Sequence, residues 1–175
     1  MHKYIGTKLI EAEEAVRYFM PNGHMVTVAD SEEISEETHL KLAECAAAER
    51  GYKVRYPDGY MSWSPKNVFE EAYRPCTAMN FGLAIEAMRL GQKVARRGWN
   101  GTGIHIELQC PDEYSKMTHP YIFIDTTGLQ TNNPDAPKDR VPWLASQTDM
   151  LAEDWYTVEE LDVEDAVPYG EEDCT

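Results

Sequence analysis

The nineteen-residue run Met79–Arg97, MNFGLAIEAMRLGQKVARR, followed by Gly98-Trp99-Asn100-Gly101, constrains the fold most tightly. Asn80 is placed to cap a helix, and Phe81, Ala84, Ile85 and Met88 recur at i, i+3, i+4 and i+7, which gives one apolar stripe. Gly91 supplies the stop. A strand carrying Lys93, Arg96 and Arg97 follows, then a tight turn around Trp99. A short amphipathic helix running straight into a strand must lay its stripe against a sheet, so this part of the chain reads as a helix on a β-sheet.

The strands of that sheet can be read downstream. Ile104, Ile106 and Leu108 alternate with His105 and Glu107, and Tyr121–Asp125 (YIFID) is rich in β-formers. Val141-Pro142-Trp143-Leu144 is expected to return to the core. Ser146 and Asp149 form a capping-box pattern opening a helix from Gln147 to about Glu153, and Trp155–Val158 closes the sheet. Upstream, Lys3–Ile10 reads as a strand, and Ser35 caps a helix from Glu36 to Arg50 that Gly51 stops. Pro57-Asp58-Gly59 turns a hairpin between Tyr52–Tyr56 and Tyr60–Trp63, and Pro65 starts a helix reaching about Tyr73.

The fold class is therefore α+β: a mostly antiparallel sheet with short flanking helices, plus a small N-terminal β-rich segment with a helical insertion. The expected divisions are a small unit at 1–75, a binding domain at 76–158 and an acidic tail at 159–175. Residues 156–175 carry eight acids and no basic residue, more than half of the net charge of −15. That balance argues against a nucleic-acid polymer or an anionic membrane as partner, since both call for a broad basic face. No apolar run approaches a membrane span, the start shows no signal-peptide pattern, and the four cysteines lack C-x-x-C spacing. Reduced thiols and a cytoplasmic setting are expected. No histidine stands at i, i+4 from another ligand, so no metal and no cofactor are expected.

Against this acidic background the segment Cys76–Ile104 has four basic residues, Arg89, Lys93, Arg96 and Arg97, against one acid, Glu86. Arginine forks onto phosphate oxygens, an aromatic ring stacks on a base, and a helix N-terminus offers free N–H groups to an anion. Candidate binding residues are thus Lys93, Arg96 and Arg97 as cations, Phe81, Trp99 and Tyr121 as stacking surfaces, and Asn100, Gln147, Thr148 and Asp149 as hydrogen-bonding groups. The same residues also fit a plain alternative, a strand with a solvated basic face, with Phe81 in the core and Ser146 acting only as a cap. No phosphate-binding loop, nucleophile elbow or H-E-x-x-H motif occurs. His105 and Glu107 on one strand face could form an acid–base pair or an ordinary polar surface.

Three blocks, MNFGLAIEAMRLGQKVARRGWNG, PYIFIDT and VPWLASQTDMLAEDWYTV, together resemble the phage-encoded anti-Thoeris family of cyclic-nucleotide sponges across residues 79–158. The resemblance implies a non-enzymatic protein of the host bacterial cytoplasm that captures cyclic ADP-ribose isomers and keeps a TIR-dependent defence silent. It also implies a homo-oligomer, a dimer at least and up to a hexamer, with cyclic di- or trinucleotides as further ligands. Arg96 or Arg97, with Lys93 and the N–H groups at Gln147–Asp149, would meet the phosphates. Phe81, Trp99 or Tyr121 would stack on adenine, and Asn100 and Asp149 would read the ribose. IGTKLIEAE and GYKVRYPDGYMSWSPKNVFEEAYR resemble a small phage-type unit without assigned activity. A hydrolase of the same signals and a structural phage adaptor are the competing readings.

Overall fold

The computed structural model describes residues 8–158, and the chain divides between Tyr73 and Arg74 into two compact units. The acidic tail and most of the strand expected at Lys3–Ile10 lie outside the described residues. Lys8–Ile10 is irregular, and the first strand starts at Glu11.

In the N-terminal unit β1 (Glu11–Phe19), β2 (Met25–Ala29), β3 (Ala47–Arg55) and β4 (Met61–Pro65) form an antiparallel sheet in the order β2-β1-β3-β4. Helix α1 (Glu36–Ala43) follows β2, and α2 (Lys66–Ala72) follows β4. The expected helix Glu36–Arg50 is corrected. Ser35 does cap it, but it ends at Ala43, because Ala47–Arg50 pairs with Phe19–Val16 of β1. Alanine and glutamate favour helix locally, and nine backbone pairs with β1 override that preference. Gly51 is accordingly a mid-strand residue: a Cβ there would lie 2.2 Å from the Ser64 carbonyl oxygen and 2.6 Å from the Trp63 ring. The Pro57-Asp58-Gly59 hairpin forms as expected, with Gly59 at φ +82°. Pro65 caps α2 rather than occupying its first turn.

The C-terminal unit holds α3 (Phe81–Arg89), β5 (Val94–Arg96), β6 (His105–Gln109), β7 (Tyr121–Asp125), β8 (Arg140–Pro142), α4 (Gln147–Met150) and β9 (Trp155–Thr157). Its five strands are antiparallel, in the order β8-β7-β6-β5-β9. Asn80 caps α3 by accepting from the Leu83 N–H, and Gly91 (φ +81°) follows its last turn. Ala84 and Met88 of the predicted stripe are fully buried, while Phe81 and Ile85 are partly buried around them. They pack on Val94, Ile106 and Trp155, which project from one face of the sheet. The fold is α+β, as the sequence suggests.

Strand alternation places Lys93, Ala95 and Arg97, His105, Glu107 and Gln109, Tyr121, Phe123 and Asp125, and Tyr156 on the opposite face. Two local expectations need correction. Of Val141–Leu144 only Trp143 reaches the core, whereas Val141 and Leu144 are exposed. Helix α4 stops at Met150 instead of about Glu153, because Asp154 must turn back to reach Arg96. Cys45 and Cys76 are free thiols.

Candidate functional site

The predicted binding residues fall on both sides of the C-terminal sheet. Phe81, Arg96, Trp99 and Asp149 gather on the helix-bearing side around Trp155. Lys93, Arg97 and Tyr121 belong to the other face, and Asn100, Gln147 and Thr148 are exposed at a turn and at the start of α4.

On the helix side the organising group is the Asp149 carboxylate. One oxygen accepts from Arg96 Nη1 at 2.7 Å and Trp99 Nε1 at 3.0 Å; the other accepts from the Ser146 N–H at 3.1 Å and Ser146 Oγ at 2.6 Å. The capping box read from the sequence is therefore also an ion-pair site. Arg96 turns its Nε to Asp154 Oδ1 at 2.8 Å, and Asp154 Oδ2 accepts the Gly98 N–H at 2.7 Å. A Cβ on Gly98 would sit 2.9 Å from that oxygen, which accounts for glycine at the position. With two carboxylates on one guanidinium, Arg96 fastens β5 to α4 and to the approach to β9, and its charge is compensated within the protein.

Burial alone would raise the Asp149 pKa, but the hydrogen bonds from Ser146, Arg96 and Trp99 outweigh it and hold the group at about 2, down from 3.8. A folded-state pKa below the unfolded one gives stability that is present above pH 4 and lost as pH falls through about 2. The shift corresponds to about 2 kcal/mol. Urea unfolding of the C-terminal unit should show that loss between pH 5 and pH 2, and Asp149→Asn should flatten this part of the profile.

The other face has a different character. Arg97 is exposed, and among the described residues its partners are the Thr77 carbonyl at 3.4 Å and the Tyr156 ring, 5.3 Å from guanidinium carbon to ring centre. Among the described residues no carboxylate compensates it. Lys93 immediately precedes β5, and continued alternation sets it on the same side. Further across, His105 Nε2 and Glu107 Oε1 are 2.8 Å apart, so the pair suggested by the sequence does form. A shallow open groove of about 450 Å³ runs along Glu107, Gln109, Asp112 and Phe123, and none of the predicted binding residues lines it.

The profile of a Tad2-like family, described as the Thoeris anti-defense 2-like domain, matches residues 79–158. A curated relative, Thoeris anti-defense 2 of Bacillus phage SP01, is 32% identical over 87 residues, which span 45% of this chain and 93% of that protein. The chain belongs to the Thoeris anti-defense 2 family. The family domain thus spans the helix, all five strands of the second sheet, and both clusters of predicted residues.

Sequence reasoning missed two members of these clusters. Asp154 precedes the core residue Trp155, and only the pairing of Arg96 with Trp155 brings its carboxylate to the guanidinium. Tyr156 was legible as the outward neighbour of Trp155 in a strand, which is the available signal. No helix among the described residues is long and apolar enough to cross a membrane.

Proposed function

We propose that this anti-defence protein sequesters cyclic ADP-ribose signals in the host bacterial cytoplasm and releases them chemically unchanged. The observation that carries the reading is the Arg97 guanidinium, which lies across the Tyr156 ring and meets no carboxylate among the described residues, inside the family domain. A planar cation beside an aromatic face suits a phosphate next to a base. Lys93 adds a second charge, and Tyr121 on the same face supplies a stacking surface. Asn100, Gln147 and Thr148, all exposed, serve as hydrogen-bonding groups for the same ligand class. Arg96, Trp99, Phe81 and Asp149 support the site by holding α4 against β5.

The functional unit of this reading is a homo-oligomer, a dimer at least. Leu144 and Leu151 flank α4 at 91% and 81% exposure, with Met150 beside them, an apolar surface suited to self-association.

The test is incubation of the purified full chain with cyclic ADP-ribose isomers and cyclic di- and trinucleotides, followed by desalting, heat release and mass spectrometry. Intact nucleotide is expected in the released fraction. A changed mass would establish a hydrolase, and an empty fraction would favour a structural adaptor. Arg97→Ala should weaken binding of the captured ligand by about 30-fold or more, because a phosphate loses a charged partner, while leaving the melting temperature within a degree or two. Calorimetric titration and a thermal melt of the same variant check both halves.

A further inference from the structure

The second face of the C-terminal sheet carries a donor group that anion capture does not use. His105 and Glu107 lie two residues apart on β6 and therefore project to one side, and Asp125 of β7 pairs directly with His105. One ligand atom from each, an imidazole nitrogen and two carboxylate oxygens, all fall within 4.8 Å of one another.

Three properties of the group go beyond proximity. First, the donor set is mixed nitrogen and oxygen, which suits zinc-like ions rather than magnesium or calcium. Second, the most buried ligand is already oriented: Asp125 is 3% exposed, and its Oδ1 accepts from the Thr127 N–H at 2.8 Å and the Thr127 hydroxyl. Such hydrogen bonds to a carboxylate are what commonly fix a ligand in place around a metal. Third, a positive charge already occupies the position. Arg140 Nε contacts Asp125 Oδ2 at 2.7 Å, yet the Arg140 side chain is 67% exposed.

An arginine with most of its arm in water can swing out when a divalent cation arrives. Zinc at about 2.0–2.2 Å from each ligand needs donor atoms roughly 3–3.5 Å apart. His105 and Glu107 are nearer than that already, and Glu107, with a side chain 30% exposed, has room to shift.

We infer that His105, Glu107 and Asp125 form a divalent transition-metal site of the zinc type, with Arg140 as a displaceable counter-ion. Three protein ligands leave the ion a further position, open to solvent or to an oxygen of a bound molecule. Sequence spacing alone points away from metal, because the three ligands come together only through the pairing of β6 with β7.

The experiment uses the full chain stripped with a chelator. Co²⁺ is titrated in while its visible absorption is followed, and Zn²⁺ binding is measured by calorimetry in the presence of excess Mg²⁺. The expected result is one equivalent per chain with unchanged affinity when Mg²⁺ is present. His105→Ala should weaken binding at least tenfold. Arg140→Ala should tighten it, since the competing cation is gone; the exposed position of that side chain makes this variant the safer one to fold. Absence of stoichiometric binding to the wild type, equal binding by His105→Ala in a folded sample, or weaker binding by Arg140→Ala would each overturn the site.

Discussion

Asp149→Ala is expected to destabilise the C-terminal unit by about 3–5 kcal/mol, the usual cost of removing one partner of a buried ion pair. Only 12% of its side chain is exposed, against 15% for Arg96, so neither charge is well solvated. Truncation leaves Arg96 Nη1, Trp99 Nε1 and the Ser146 N–H without their acceptor. Each lost bond to a charged group contributes about 1.5–3 kcal/mol, and these contributions overlap because they share one carboxylate. The capping box disappears with it, which weakens a helix of only four residues. Asp149→Asn keeps the shape and one acceptor oxygen, and should cost roughly half as much. Urea denaturation followed by tryptophan fluorescence reads the loss, since Trp99, Trp143 and Trp155 all surround this site. A cost below 1 kcal/mol for Asp149→Ala would mean that the carboxylate does not hold α4 to β5.

This network also explains why the two adjacent arginines differ so sharply. On a strand, neighbours face opposite ways, and Arg96 pairs with Trp155 on the core side. Its charge is satisfied by Asp149 and Asp154 and is built into the fold. Arg97 emerges on the other face, where among the described residues a carbonyl and an aromatic ring meet it. A sequence reading sees two equivalent cations. The register makes one a fastener and turns the other to the opposite face.

The parts of the fold legible in the sequence are those set by short-range patterns. Asn80 and Gly91 bracket α3, Pro57-Asp58-Gly59 turns a hairpin, and the alternation of Ile104, Ile106 and Leu108 marks β6 with its buried side. What was not legible depends on distant partners. Glu11–Phe19, with three glutamates, has poor strand propensity, and it is held by β2 and β3 on its two sides and by the Arg55–Glu11 and Lys66–Glu14 pairs. Ala47–Arg50 reads as helix until β1 is placed beside it. In the same way the capping box at Ser146 and Asp149 is a local signal, but the arrival of Arg96 and Trp99 at the same carboxylate is not. The candidate residues were thus found by type, and their division between two faces follows from pairing alone.

Trp155→Ala should be the most damaging core substitution, at about 3–5 kcal/mol. The side chain is fully buried and meets three other aromatic rings: Phe81 and Trp99 at 5.4 Å and Trp143 at 6.0 Å between ring centres. Its indole N–H donates to the Asp149 carbonyl at 3.0 Å, so truncation also strips a buried acceptor of its donor. Backbone bonds to Met79 in both directions fix the strand position, so neighbouring groups cannot easily close the space. Trp143→Ala, at a position that is only partly buried, should cost clearly less. The two tryptophan variants can be compared by urea unfolding with circular dichroism, which does not depend on the deleted fluorophore. The Trp155 ring and the Asp149 carboxylate both contact Trp99 and Arg96. The double variant should therefore lose at least about 1 kcal/mol less than the sum of the single losses. Strict additivity would mean that the aromatic cluster and the Arg96–Asp149 pair stabilise the unit independently, and that α4 is not held through the core tryptophan.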